Sequence, residues 1–208
     1  MRAGAHKWHD FCSAWDHLPK DPYLLDQGEY RSRRYSVFQY HKQQLAVLPP
    51  EPHFQSSYYN AIHGDINRHL ATWQTSSINN PVLHNVIIWI MKKINANNTQ
   101  TWRIQAHQFR IVASIDQSGK PTPEGIHKDG ADYIFIMLLQ RQNIQGGVSH
   151  IYDNQKQPLA KTTLEKSADC ILLDDSAVYH YVSEVSVLDP TQIGLRDVLV
   201  LTFHRHQT

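Results

Sequence analysis

PEGIHKDGADYIFIMLLQR, residues 123–141, joins a His-Lys-Asp triplet, His127 to Asp129, to a run of apolar residues. Downstream, His180 ends a strand-like run and Arg196 opens another. Two imidazoles and one carboxylate in the order His-x-Asp…His are the ligand set of a non-haem Fe(II) centre. They occupy one face of an octahedron and leave three positions open for a co-substrate and oxygen. An arginine placed as Arg196 is suggests that the co-substrate is a dicarboxylate.

His-x-Asp alone carries little weight. With 14 His and 14 Asp in 208 residues, about one such triplet is expected from composition. There are two, at His63-Gly64-Asp65 and His127-Lys128-Asp129. In YYNAIHGDINRHLATW, Ile62, Ile66 and Leu70 recur at helical spacing, which predicts a helix over residues 57–74. Residues i and i+2 of a helix diverge by roughly 200°, so His63 and Asp65 would not face one metal. The flank of His127 is strand-like, and in a strand residues i and i+2 share a face. The alternative for either triplet is a surface loop.

Charged residues make up 19% of the chain and the formal net charge is +1, so no global field draws nucleic acid or an anionic membrane. Cys12 and Cys170 form no CxxC pair, the usage of a reducing compartment. No signal-peptide core is visible in MRAGAHKWHDFC, and VIIWIM (residues 86–91) is too short to span a bilayer. A cytoplasmic chain is expected, long enough for one buried core.

The pattern changes near residue 100. Before it, Trp8, Phe11, Trp15 and Leu18 share one helical face, and Pro49, Pro50 and Pro52 mark a break. Asn80-Pro81 opens a helix through VLHNVIIWIMKKINA, while RSRRYSVFQYHKQQLAVL reads as extended. After residue 100, short strands alternate with turns: TWRIQAHQFRIVASI, DYIFIMLLQR, VSHIYD, ADCILLDDSAVYHYVSEVSVLD and RDVLVLTFHRHQT. This spacing points to an antiparallel sandwich or barrel, and a jelly roll brings the ends of distant strands together at a mouth. If Asp129 points inward, regular pleat carries Ala131, Tyr133 and Phe135 with it. Tyr133 then binds co-substrate or substrate, or is a core tyrosine with a satisfied hydroxyl. In the last strand Arg196, Val198, Val200 and Thr202 share one face, and Leu199, Leu201, Phe203 and Arg205 the other.

The blocks HQFRI, PEGIHKDGADYIFI, QGGVSHIYD, VYHYVS and RDVLVLTFHR, in this order, resemble the bacterial L-isoleucine 4-hydroxylase group of 2-oxoglutarate/Fe(II)-dependent dioxygenases. The resemblance covers most of residues 100–205 and is looser before them, where SSYYNAIHGDINR is similar. It implies one dioxygenase domain over residues 1–208, mostly β. Residues 100–208 would form a double-stranded β-helix (jelly roll, cupin-like) and carry the metal site, with a helix-rich N-terminal cap over residues 1–99. It also implies Fe(II), 2-oxoglutarate and O2, with His127, Asp129 and His180 as catalytic metal ligands. Arg196 would pair with the distal carboxylate of 2-oxoglutarate, with Thr202 adding a hydroxyl. Decarboxylation to succinate would accompany hydroxylation of a free aliphatic amino acid, such as isoleucine, leucine or methionine.

A zwitterionic substrate also needs a cation and an acceptor. Arg31, Arg33, Arg34, Arg68 and Arg110 are candidates for the first and Asp132 for the second, while an arginine cluster such as RSRR also reads as a solvated face. His107 lines the mouth or is a hydrogen-bonded core histidine. His204 and His206 read as surface, Trp8, Trp15, Tyr58 and Tyr59 as packing, and Gly146-Gly147 as a turn. Two other classes fit less well. An oxygenase of the same fold acting on nucleic acid needs paired cations for phosphates that the net charge does not supply; a peptide or protein substrate stays open. A cupin-like metal-binding protein without turnover has no use for the Arg196 clamp.

Overall fold

The computed structural model describes residues 2–59, 64–97 and 99–206. In chain order its strands are β1 (Arg31–His41), β2 (Gln44–Val47), β3 (Trp102–Ala113), β4 (Tyr133–Gln142), β5 (Ile144–Gly146), β6 (Val148–Tyr152), β7 (Pro158–Thr163), β8 (Cys170–Asp174), β9 (Tyr179–Val182), β10 (Val185–Val187) and β11 (Gly194–Arg205). A major sheet runs β2-β1-β3-β11-β4-β8, a minor sheet β7-β6-β9, and β10 pairs with β5. All of these pairings are antiparallel. The architecture is the expected mostly-β jelly roll with an N-terminal helix.

Helices cover one face of the major sheet. α1 (Arg2–Cys12) continues into a 3-10 turn (Ser13–His17), and short α2 (Thr75–Ile78) precedes α3 (Pro81–Lys93). Asn80 caps α3 by accepting from the Val82 N–H at 2.9 Å, with Pro81 in the first turn, where its missing N–H costs nothing. Phe11, Trp15, Leu83, Ile87 and Ile90 pack on Ile104, Ala106, Phe135, Leu199, Leu201 and Phe203, all buried. Full burial of one such large side chain contributes about 1.5–3 kcal/mol. The Trp15 indole N–H donates to the carbonyls of Phe109 (3.1 Å) and Val198 (3.2 Å), which ties the helical layer to β3 and β11.

Two expectations for the first half of the chain need correction. β1 is not part of a cap: it lies inside the major sheet between β2 and β3. Its Tyr35, Val37, Phe38 and Tyr40 are β-formers that all pair with β3, and Phe38 and Tyr40 pair with β2 as well. Nor is there a helix among the described residues of 57–74. Residues 57–59 form a turn, and residues 64–74 are irregular apart from a bridge in which His53 and Arg68 exchange N–H···O bonds of 2.9 Å. Ile66 is exposed, so the helical spacing had no core face to bury. Asp65 takes φ +59 and accepts from the Ser57 N–H at 3.0 Å. His63 lies outside the described residues.

Candidate active site

Between the major and minor sheets is a cavity of about 320 Å³. Its floor follows from register. Arg31, Ile111 and Arg196 form one row across β1, β3 and β11; Arg33, Phe109 and Val198 form the next; Tyr35, His107 and Val200 the third; and Val37, Gln105 and Thr202 the fourth. Alternation sends these side chains to one side of the sheet, where all but Tyr35 and Val37 line the cavity, and their neighbours to the other. Ile134 and Ile136 of β4 and His180 and Val182 of β9 complete the walls.

His127 and His180 meet as a hydrogen-bonded antiparallel pair: His127 N–H donates to His180 O (3.0 Å) and His180 N–H to His127 O (2.9 Å). Their rings lie 4.3 Å apart. His127 Nε2 is 3.6 Å from Asp129 Oδ1, and His180 Nε2 is 3.8 Å from Asp129 Oδ2. One ligand atom from each of the three lies within 4.8 Å of the others. An octahedron with bonds of about 2.1 Å has edges of roughly 3 Å, so a small inward movement brings the donors to bonding distance.

The protonation pattern also fits a metal. His127 Nδ1 lies 2.9 Å from the Gly125 carbonyl, which only accepts, so Nδ1 carries a hydrogen and Nε2 is the nitrogen left to face a metal in place of a proton. Burial holds His180 well below the ordinary histidine range, as does the His127 charge, so its imidazole is neutral. For His127, burial acts downward, but the charges of Glu124 and Asp129 outweigh it and raise the pKa. Glu124 Oε1 stands 3.3 Å from His127 Nε2.

Asp129 is positioned by a carboxylate that sequence reading missed. Asp175, 1% exposed, accepts from the N–H groups of Asp129 (3.2 Å), Gly130 (2.8 Å) and Ala131 (3.0 Å). Burial and the nearby Asp129 charge push its pKa up to about 6. A second missed residue, Gln55, donates from Nε2 to Asp129 Oδ1 at 3.2 Å. Nothing in Asp174-Asp175 or in Phe54-Gln55-Ser56 marks these roles, because both depend on tertiary contacts.

Arg196 is 2% exposed, and its Nε and Nη2 have no acceptor among the described residues. Its cross-strand partner on β4 is another cation, Arg141. Burial first, then Arg141, pulls the Arg196 pKa down to about 10. A buried guanidinium with unmet donors and no paired carboxylate is unfavourable unless a ligand answers it.

Thr202 lines the same cavity, but six residues along β11 from Arg196 is roughly 20 Å. It lies among Gln105, Ile134 and His204, too far to share a carboxylate with Arg196. Tyr133 does not enter the cavity: its ring packs on Trp102 at 6.2 Å on the helical side. The pleat is broken between Asp129 and β4, where Gly130 takes φ +77 and three N–H groups turn to Asp175. Arg110 also points to the helical side, where Nε and Nη2 bind the Asp197 carboxylate at 2.8 and 2.7 Å. Asp132 is held by Arg205, at 3.1 Å from Nε and 2.8 Å from the backbone N–H. Arg34 turns outward to the carbonyls of Thr72 and His17. Arg31, Arg33 and Arg68 line the cavity, as do His107 and, against expectation, His204. His206 is exposed. No helix among the described residues is long and apolar enough to cross a membrane.

A family model described as 2OG-Fe dioxygenase matches residues 12–202. The chain is 25% identical over 187 residues to the L-isoleucine-4-hydroxylase of Bacillus thuringiensis, covering 87% of this chain and 78% of that protein. The crystal structure of a bsmA homolog from Methylobium petroleophilum PM1 superposes with a TM-score of 0.86 at 32% identity, over 96% of this chain and 81% of that one. The structure of IDO from Bacillus thuringiensis gives a TM-score of 0.83 at 18% identity, over 100% and 89% of the two chains, a likeness of fold.

Proposed function

Because the chain belongs to the 2OG-Fe dioxygenase family, whose members use Fe(II), 2-oxoglutarate and O2, we propose that it hydroxylates a free aliphatic L-amino acid. One O2 and one 2-oxoglutarate would be consumed, giving the hydroxylated amino acid, succinate and CO2. In this reading His127, Asp129 and His180 hold the iron, and Arg196 pairs with the distal carboxylate of 2-oxoglutarate. When bound, the metal supplies the site at which oxygen is activated for attack on an unactivated carbon.

One observation carries the reading. A single cavity has a three-ligand cluster and, elsewhere on its floor, a buried guanidinium without an acceptor. That is the polarity of a ligand with a chelating end and a distal carboxylate. The protein's share of the work is positional. Asp175 fixes the backbone of residues 129–131, and the Gly125 carbonyl sets the His127 tautomer. Ile134, Ile136, Val182, Val198 and Val200 line the space and exclude water. The cavity volume is at the low end for small-molecule sites, which favours a substrate of a few carbons over a macromolecule. The named activity of the Bacillus thuringiensis relative supports the amino-acid class.

The test is succinate formation by the iron-loaded enzyme with a panel of free L-amino acids, isoleucine, leucine and methionine first, beside short peptides. Stimulation by a free aliphatic amino acid is expected. Stimulation by peptides alone would replace this reading with a peptide hydroxylase.

A further inference from the structure

We infer that the Arg33 guanidinium anchors the α-carboxylate of the substrate and that Glu124 receives its ammonium group. This inference rests on the amino-acid reading above and gives it a head-group subsite. Three arginines line the cavity away from Arg196: Arg31, Arg33 and Arg68. Arg33 lies in the row next to that of Arg196 and two strands away from it, roughly 10 Å across the sheet and about 7 Å along it. It is therefore a second anion centre and not an extension of the first.

The three arginines differ in how they are satisfied. Arg31 Nε donates to Asp21 Oδ2 at 2.7 Å. Arg68 Nη1 lies 3.1 Å from His53 Nδ1. Arg33 Nε also approaches Asp21 Oδ2, at 2.9 Å, but its direction makes no hydrogen bond. Arg33 is 4% exposed, and its Nε and Nη2 have no acceptor among the described residues. One carboxylate, Asp21, stands between two guanidiniums, which leaves a surplus positive charge in a buried wall. The Phe109 ring lies 5.6 Å from the Arg33 guanidinium and 5.7 Å from that of Arg31, fixing both.

Glu124 supplies the opposite charge at the right place. It lines the cavity and touches His127 Nε2 at 3.3 Å. It shares this cavity with Arg33 and Arg68 on one hand and with the ligand cluster on the other. An α-amino acid bridging Arg33 and Glu124 directs its side chain to the apolar part of the cavity. This arrangement reads both ends of a free amino acid and discriminates against peptides and amides.

The test compares an active amino acid with its carboxamide and its 2-hydroxy acid, reading stimulated 2-oxoglutarate consumption. Wild type should prefer the acid to the amide, and the amino acid to the hydroxy acid. Arg33→Met should weaken the acid on the order of 30-fold, as for lost charge-assisted hydrogen bonds, and barely change the amide, so the acid-to-amide preference collapses. Arg33→Lys should restore part of that preference. Glu124→Gln should instead collapse the preference for the amino acid over the hydroxy acid. Each ratio is internal to one variant, so a general loss of activity does not imitate it. If Arg33→Met does not fold, the lysine variant and the wild-type ratio still decide. A wild type that takes amide and acid equally, or an Arg33 variant with the wild-type preference, overturns the assignment. Failure of every free amino acid to stimulate wild type would sink the parent reading instead.

Discussion

On the helical side of β11, Asp197 is locked to Arg110 by two hydrogen bonds, and Leu199, Leu201 and Phe203 are fully buried against α1 and α3. On the cavity side of the same strand, Arg196 has unmet donors, and Val198, Val200 and Thr202 face open volume. The contrast extends to neighbouring strands. The Trp15 and Trp73 indoles on the helical side find carbonyls, although Gln108 and the Trp102 indole there do not; on the cavity side the atoms without partners include those of the guanidinium of Arg33 and the imidazole of His107. Alternating residues of one strand thus serve different ends. One face holds the fold through apolar packing and the Arg110–Asp197 pair, and the other carries buried cations whose donors stay open for ligands.

The largest effect should follow from Asp129→Ala, which removes the carboxylate shared by both histidines. Turnover should fall by more than the ~100-fold that loss of an outer partner of a metal site typically costs. The melting temperature should change little, since the Asp129 side chain is partly exposed and unconnected to the helical core. A well-folded variant with full activity at limiting iron would remove Asp129 from the metal site.

Two arginines on opposite faces test the contrast directly. Arg110→Ala leaves Asp197 buried and unpaired, and should cost about 3–5 kcal/mol of folding stability in denaturant titrations. The variant's apparent KM for 2-oxoglutarate should stay near wild type. Arg196→Ala should do the reverse, raising that KM by about 3 kcal/mol of lost binding, roughly 150-fold, while stability holds or rises. Arg196→Lys should recover part of the loss because an ammonium cannot form the planar fork. If both variants lost stability alike, the two faces would not be divided in this way.

Asp175→Ala should come next. Three backbone N–H groups lose their acceptor, so the loop carrying Asp129 loosens. Affinity for Co(II) as a spectroscopic probe should drop about 10–100-fold. Unchanged affinity would mean that the loop is held by other contacts, such as Gln55.

How far these roles could be read from the sequence depends on whether they are local. His127, Asp129, His180 and Arg196 stand out through spacing and residue type, and the face of Arg196 follows from unbroken pleat along β11, which pairs regularly with β3 from Gly194 to Arg205. The same pleat argument fails for Tyr133 because the turn at Gly130 resets the phase before β4 begins. It fails for Thr202 in another way: the face is right, but the distance along the strand is too great. Arg110 and Asp132 are taken by Asp197 and Arg205, partners that lie far away in sequence. Helical spacing is no substitute for a core to pack against, as the exposed Ile66 shows. The arginines of β1 could be named as candidates, but only strand register shows that Arg31 and Arg33 face the cavity while Arg34 does not.

The smallest effect is expected from Arg205, the other arginine of β11. Regular alternation puts it on the face opposite Arg196, over the rings of Trp102 (5.5 Å) and Tyr133 (5.9 Å), with Asp132 at 3.1 Å. Its side chain is 47% exposed, so solvent screens the ion pair, and such pairs contribute about 0–1 kcal/mol. The backbone N–H that donates to Asp132 survives substitution, so the end of β11 stays anchored. Arg205→Ala should therefore leave the KM for 2-oxoglutarate unchanged and shift folding stability by no more than about 1 kcal/mol. Titrating 2-oxoglutarate against the Arg205 and Arg196 variants side by side gives the sharpest check. A strong defect at Arg205 with a silent Arg196 would mean that the co-substrate lies on the other side of the sheet, and that the division between its faces is drawn the wrong way round.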